Sequence, residues 1–113
     1  MTWEWFLLIA AAMALCAGCL LPNSWLPARL PNDKLMHFLA YAGLTGLALR
    51  IAHGRAEAIT WVVGLLLAGC LIECLQQLVP ERSFSWSDIA ANAAGVACAT
   101  TCALGYTTWA YLL

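Results

Sequence analysis

The stretch Glu81–Gly95, ERSFSWSDIAANAAG, lies between two long apolar runs, and its reading decides the fold. It gathers two acids, an arginine, three serines and an asparagine in a chain of 113 residues that is 64% hydrophobic and only 10% charged. Pro80 just before it ends whatever helix precedes, because proline lacks the backbone donor a helix needs. Ser85–Asp88 has the capping-box spacing that starts another helix. The polar stretch therefore reads as the joint between two helices, each long enough to cross about 30 Å of hydrocarbon at about 1.5 Å per residue.

Working outward, two more apolar runs precede these. The expected helices span roughly 3–21, 34–52, 58–79 and 86–112, which makes residues 1–113 one all-α, polytopic membrane domain of four transmembrane helices in a compact bundle. A soluble domain carries about 25% charged residues, well above this chain. Net charge is −1 with no basic run, which excludes a nucleic-acid partner. The first run has no basic residues before it, and Cys16 occupies the place where a lipoprotein cleavage box has leucine three before Cys19. It is read as a helix and not as a leader.

Between the first two helices, Pro22, Pro27 and Pro31 forbid helix continuation. Asp33 is the expected N-cap of the second helix, and Ala52–Glu57, AHGRAE, is a tight turn into the third. Trp3, Trp5, Trp61, Trp109 and Tyr111 fall on one side of such a bundle, and Trp25 and Trp86 on the other, as an aromatic belt requires. Arg50 and Arg55 lie on the side of both termini, and the bases opposite are accompanied by acids. The expectation is a multi-pass protein with both termini in the cytoplasm. The six cysteines, Cys16, Cys19, Cys70, Cys74, Cys98 and Cys102, sit among Ala, Gly and Thr inside the spans and read as small packing residues. The pattern has no metal-ligand spacing and calls for no cofactor.

The polar residues converge. Asp33, His37 and Tyr41 share one stripe at i, i+4, i+8 with Lys34 beside it; Glu73, Gln76 and Gln77 end the third helix; Asp88 and Asn92 open the fourth, with Gly95 one turn deeper. Antiparallel helices bring all three segments to the non-cytoplasmic face. Glu73 lies about 10 Å below the surface at about 1.5 Å per residue, where an unpaired charge costs about 2.5–3.5 kcal/mol. Its expected partners are Lys34, His37 or Arg82. The acids Asp33, Glu73, Glu81 and Asp88 nearly balance the bases Arg29, Lys34 and Arg82. A scaffold reading also fits, since Asp33, Ser85 and Asp88 can all serve as caps.

The ordered set DKLMHFLAYAGL at 33–44, then IECLQQLVPERSFSWSDIAANAAG at 72–95, resembles the VanZ-like family of small bacterial integral membrane proteins. The resemblance rests on D-K-x-x-H-F-x-x-Y, E-x-x-Q and R-x-x-S-x-x-D-x-x-x-N-x-x-G, and covers roughly 32–95. The first helix and the tail match only in hydrophobicity. It carries Asp33, Lys34, His37, Tyr41, Glu73, Gln76, Arg82, Ser85, Asp88 and Asn92 as the expected binding residues, with Gly95 alongside. It implies a place in the bacterial inner membrane and a cell-envelope role, because the name-giving member is linked to resistance to teicoplanin, an antibiotic that binds cell-wall precursors.

Three functions follow as expectations. The first is binding of a membrane lipid or lipid-linked precursor by its head group, with Arg82 and Lys34 holding phosphate or carboxylate and Gln76, Asn92 and the serines bonding sugar or amide. The second is a structural or accessory subunit of a larger membrane-protein complex, packed through Gly18, Gly95 and Gly105. The third is an enzyme acting on such a head group, with Glu73 and Asp88 as acid and base and His37 as proton carrier. No nucleophile motif and no phosphate-cradling loop supports the third.

Overall fold

A computed structural model of the chain describes residues 3–26 and 33–112. Pro27, Arg29 and Pro31, read above as loop and charge-balancing residues, lie outside the described residues. The order is α1 (Trp3–Leu20), a 3₁₀ turn (Asn23–Trp25), α2 (Asp33–Ile51), α3 (Arg55–Gln76) and α4 (Trp86–Leu112), with no strand among the described residues.

Three of these helices, α1, α3 and α4, are long and apolar enough to cross a membrane. Their large apolar side chains point outward, among them Phe6, Met13, Leu67 and Leu71. That exposure is tolerable in hydrocarbon and costly in water. α2 is not in that set, because Asp33, Lys34, His37 and Arg50 make both its ends polar. It packs on all three other helices, most extensively on α4. α3 also touches all three, whereas α1 and α4 make no contact among the described residues. The bundle is thus an α2–α3 pair flanked by α1 on one side and α4 on the other.

The deep apolar core lies at the cytoplasm-expected end, where Leu8, Leu44 and Ile51 pack with Leu15, Trp61 and Leu65 around them. Trp5 and Trp61 meet at 6.0 Å between centroids, and Arg50 stands 5.3 Å over Trp3 while bonding Glu4 at 3.2 Å. These contacts group the start of α1, the end of α2 and the start of α3 on one side, as the tryptophan belt requires.

Gly95 sets the α2–α4 approach. A Cβ there would lie 2.4 Å from the Phe38 carbonyl oxygen and 3.0 Å from the Ala42 nitrogen, so only glycine lets the two backbones touch. A Cβ at Gly18 or Gly105, read from sequence as further close contacts, would meet nothing within 4 Å. The cysteines differ from expectation in the same way. All six are free thiols and only Cys19 is buried, so the other five do not pack between helices of this chain.

α3 runs three residues earlier than expected at both ends. It begins after Gly54, whose φ of 101° no helix continues through, with the Glu57 carboxylate accepting the His53 N–H. It ends at Gln76, and Leu78 and Val79 then donate to Leu75 and Gln76 in a tighter i−3 winding. Pro80 acts upstream here, since the residues before a proline are steered out of the helical region.

Candidate functional site

The non-cytoplasm-expected end of the bundle holds the polar residues, and the fold buries them. His37, Tyr41, Glu73, Gln76, Asp88 and Asn92 are all at most 5% exposed. Such groups sit away from water only with partners, and most of them have one here.

The α2 stripe faces α4 because Gly95 lets the helices close. His37 Nδ1 lies 2.9 Å from Asn92 Oδ1. Its Nε2 faces Asp88 Oδ2 at 3.6 Å and Asp33 Oδ1 at 3.8 Å. Lys34 bonds the other Asp88 oxygen, Oδ1, and lies 3.7 Å from Asp33 Oδ2. Asp33 is the first residue of α2, and its carboxylate serves this cluster. Tyr41, one turn below His37, packs its hydroxyl end over Gly69, where a Cβ would sit 3.3 Å from Oη and 3.2 Å from Asn92 Nδ2. Gly69 was not singled out by sequence reading. A lone glycine amid small residues gives no signal until its neighbours across the bundle are known.

Glu73 departs from expectation. It makes no ion pair with Lys34, His37 or Arg82; its Oε2 accepts the Ser85 backbone N–H at 3.1 Å, and its Oε1 is buried without a partner. Ser85 is the N-cap of α4, as its spacing predicted, with Oγ accepting the Asp88 N–H at 3.3 Å. In a capping box the residue at Asp88 would reach back to the Ser85 N–H. Here Glu73 of α3 takes that place, which releases Asp88 for Lys34 and ties the end of α3 to the start of α4.

The remaining two carriers of the pattern hold α1. Arg82 donates from Nε to the Leu21 carbonyl at 3.0 Å and from Nη2 to the Gly18 carbonyl, and Gln76 donates to the Cys19 carbonyl at 2.9 Å. These are carbonyls of the last turn of α1 and of Leu21 just past it, which a helix leaves without internal donors. Glu81, at φ 68°, accepts from Ser24 N and Oγ at 2.9 and 2.8 Å, and its own carbonyl accepts from Asn23 Nδ2 at 3.0 Å. Gln77 is exposed and outside this network. Asn92 Nδ2 and Thr45 Oγ1 are, with Glu73 Oε1, buried side-chain atoms lacking a partner among the described residues.

A pocket of about 390 Å³ opens between α1 and α2. Asp33, His37 and Arg82 line it together with Ala11, Ala14 and Ala40. Ala11 lies about two turns down α1 from Gly18, so the pocket runs from the polar rim about 10 Å along the helix. One end is ionic and the other is smooth and apolar.

Fold and site together define a small helical membrane protein with a buried polar cluster at one end of its bundle. The VanZ/LLP1 family model matches residues 5–109, and the chain belongs to that family. The match extends over most of α1 and α4, beyond the motif-bearing segment. No curated protein and no solved structure matches the chain significantly.

Proposed function

We propose that the chain binds an envelope lipid or lipid-linked cell-wall precursor by its head group, at the outer leaflet of the bacterial inner membrane, with both termini cytoplasmic. The observation that carries this reading is the pocket between α1 and α2, whose Asp33, His37 and Arg82 end is continuous with a lane of small apolar side chains. A head group that is polar and a chain that is not would each find a matching wall. Arg82 supplies the cation: two of its nitrogens hold α1, and Nη1 still carries donors for phosphate or carboxylate. Holding a precursor this way alters its exposure to an antibiotic that binds it from outside, which fits a role in resistance to such compounds.

No chemical step is assigned. Glu73 and Asp88 do not face the pocket together: Asp88 holds Lys34, and Glu73 caps α4.

The test is native mass spectrometry of the purified chain with phosphatidylglycerol and with a polyprenyl-pyrophosphate-linked sugar. Ala14→Leu and Ala40→Leu fill the pocket without touching the ionic cluster. They are expected to reduce retention of the bound lipid at least tenfold while the protein stays folded. Retention equal to that of the unaltered chain would refute the proposal. A second reading, an accessory subunit in a larger complex, draws on the exposed small residues Cys98, Cys102 and Gly105 of α4. In that case crosslinks from Cys98 or Cys102 to another membrane protein form, and the pocket variants leave them unchanged.

A further inference from the structure

We infer that Asp33, His37 and Asp88 form a binding site for one divalent transition-metal ion, oriented by Asn92. The three residues offer one imidazole nitrogen and two carboxylate oxygens within 4.8 Å of one another. Two come from α2 at i, i+4, and the third from the first turn of α4.

The orientation of His37 carries the argument. An amide oxygen only accepts, so Asn92 Oδ1, at 2.9 Å, requires Nδ1 to donate. On a ring with a single proton, Nε2 is then the lone pair; a second proton there would make the ion pair with Asp88 and Asp33 that a metal ion replaces. Nε2 points at Asp88 Oδ2 and Asp33 Oδ1 across 3.6 and 3.8 Å, and it makes no hydrogen bond. His37 and Asp88 are each 5% exposed, so most of this repulsion among three electron-pair donors falls inside the fold, and a cation in the gap relieves it. A donor to the second ring nitrogen is also how metal-ligating histidines are ordinarily held. With Lys34 beside them, the two carboxylates leave one negative charge unbalanced.

The donor set and spacing narrow the ion. Imidazole with two carboxylates suits Zn²⁺, Mn²⁺ or Fe²⁺ over Ca²⁺ or Mg²⁺. Tetrahedral coordination at about 2.0–2.1 Å separates ligand atoms by about 3.3 Å, so the two gaps at His37 need to close by about 0.3–0.5 Å and the Asp33–Asp88 gap, which lies within 4.8 Å, by up to about 1.5 Å. Asp33, at the exposed start of α2, has the freedom to do so. Three protein ligands leave coordination positions open, and Asp33 and His37 also line the α1–α2 pocket. An ion there faces that pocket and presents positive charge beside Arg82. The inference stands on the ligand geometry and is independent of the lipid reading.

The test titrates the full-length purified chain in detergent with Mn²⁺, followed by electron paramagnetic resonance, and with Zn²⁺, followed by calorimetry. The Zn²⁺ titration is repeated with the exposed cysteines changed to serine. One ion per chain is expected, with binding unaffected by the cysteine changes. His37→Gln and Asp88→Asn should weaken it at least tenfold, and Asn92→Ala about 10–100-fold. Because these residues are buried, Asp33→Asn, at the exposed helix start, supplies the same loss without a folding risk. Lys34→Met removes a competing cation from Asp88 and is expected to tighten binding several-fold. No stoichiometric ion at millimolar metal overturns the inference, as does binding that Asp33→Asn and His37→Gln leave intact.

Discussion

His37 and Asn92, 55 positions apart in the chain, meet at 2.9 Å between the imidazole Nδ1 and the amide Oδ1. This bond joins the two helices that pack most extensively, and both of its side chains are removed from solvent. Interhelical polar bonds inside membrane proteins couple by about 0.6 kcal/mol on average, up to about 1.7. A double-mutant cycle of His37→Ala and Asn92→Ala, followed by unfolding in detergent, is expected at the upper end of that range. A coupling near zero contradicts the bond.

Gly95 is the position where size should matter most. Gly95→Ala places a methyl against the Phe38 carbonyl and the Ala42 nitrogen, both backbone atoms that cannot rotate away. The expected cost is about 1–3 kcal/mol, as for other overpacked sites. Gly105→Ala, in open space, should be neutral or slightly stabilising. Thermal unfolding of the two variants side by side checks the contrast.

Glu73→Gln keeps an oxygen for the Ser85 N–H and replaces a buried, partnerless carboxylate oxygen with a neutral amide. Its unfolding free energy should equal that of the unaltered chain or exceed it by up to about 1 kcal/mol, because a buried charge without a partner is costly. Glu73→Ala strands the N-terminal donor of α4 and should cost about 1–3 kcal/mol. A large loss in the glutamine variant would show that the negative charge itself is used.

Arg82→Gln removes the donors from the Gly18 and Leu21 carbonyls at the end of α1. Fraying of that end uncovers Cys19, which is 5% exposed. In a chain whose other five cysteines are serine, maleimide labelling of Cys19 should accelerate several-fold. An unchanged rate means that α1 is held by packing alone.

The Glu81 carboxylate holds the 3₁₀ turn through Ser24 from a left-handed backbone position that most residues avoid. Glu81→Gly keeps the conformation and removes the tether. Hydrogen exchange at Ser24 should then rise, while exchange in the helix interiors stays constant.

The four helices were legible because apolar runs and Pro80 are local signals, and so was the N-cap Ser85. The convergence of Asp33, His37, Asp88 and Asn92 was also legible, since antiparallel neighbours bring ends together and i, i+4 spacing selects a face. Pairing was not. The sequence shows that Glu73 needs company but cannot show that a backbone N–H would supply it, or that Lys34 and Arg82 would be engaged elsewhere. Gly18, Gly95 and Gly105 look alike in a string, and only the crossing point of α2 and α4 distinguishes the middle one. The same limit applies to the cysteines, whose composition gives smallness but not direction.

Arg82 and Gln76 reach across to α1 and take hold of main-chain oxygens at residues 18, 19 and 21. Every amino acid offers that oxygen. The grip therefore prescribes nothing about which side chains the first helix carries, only that it ends at the right height.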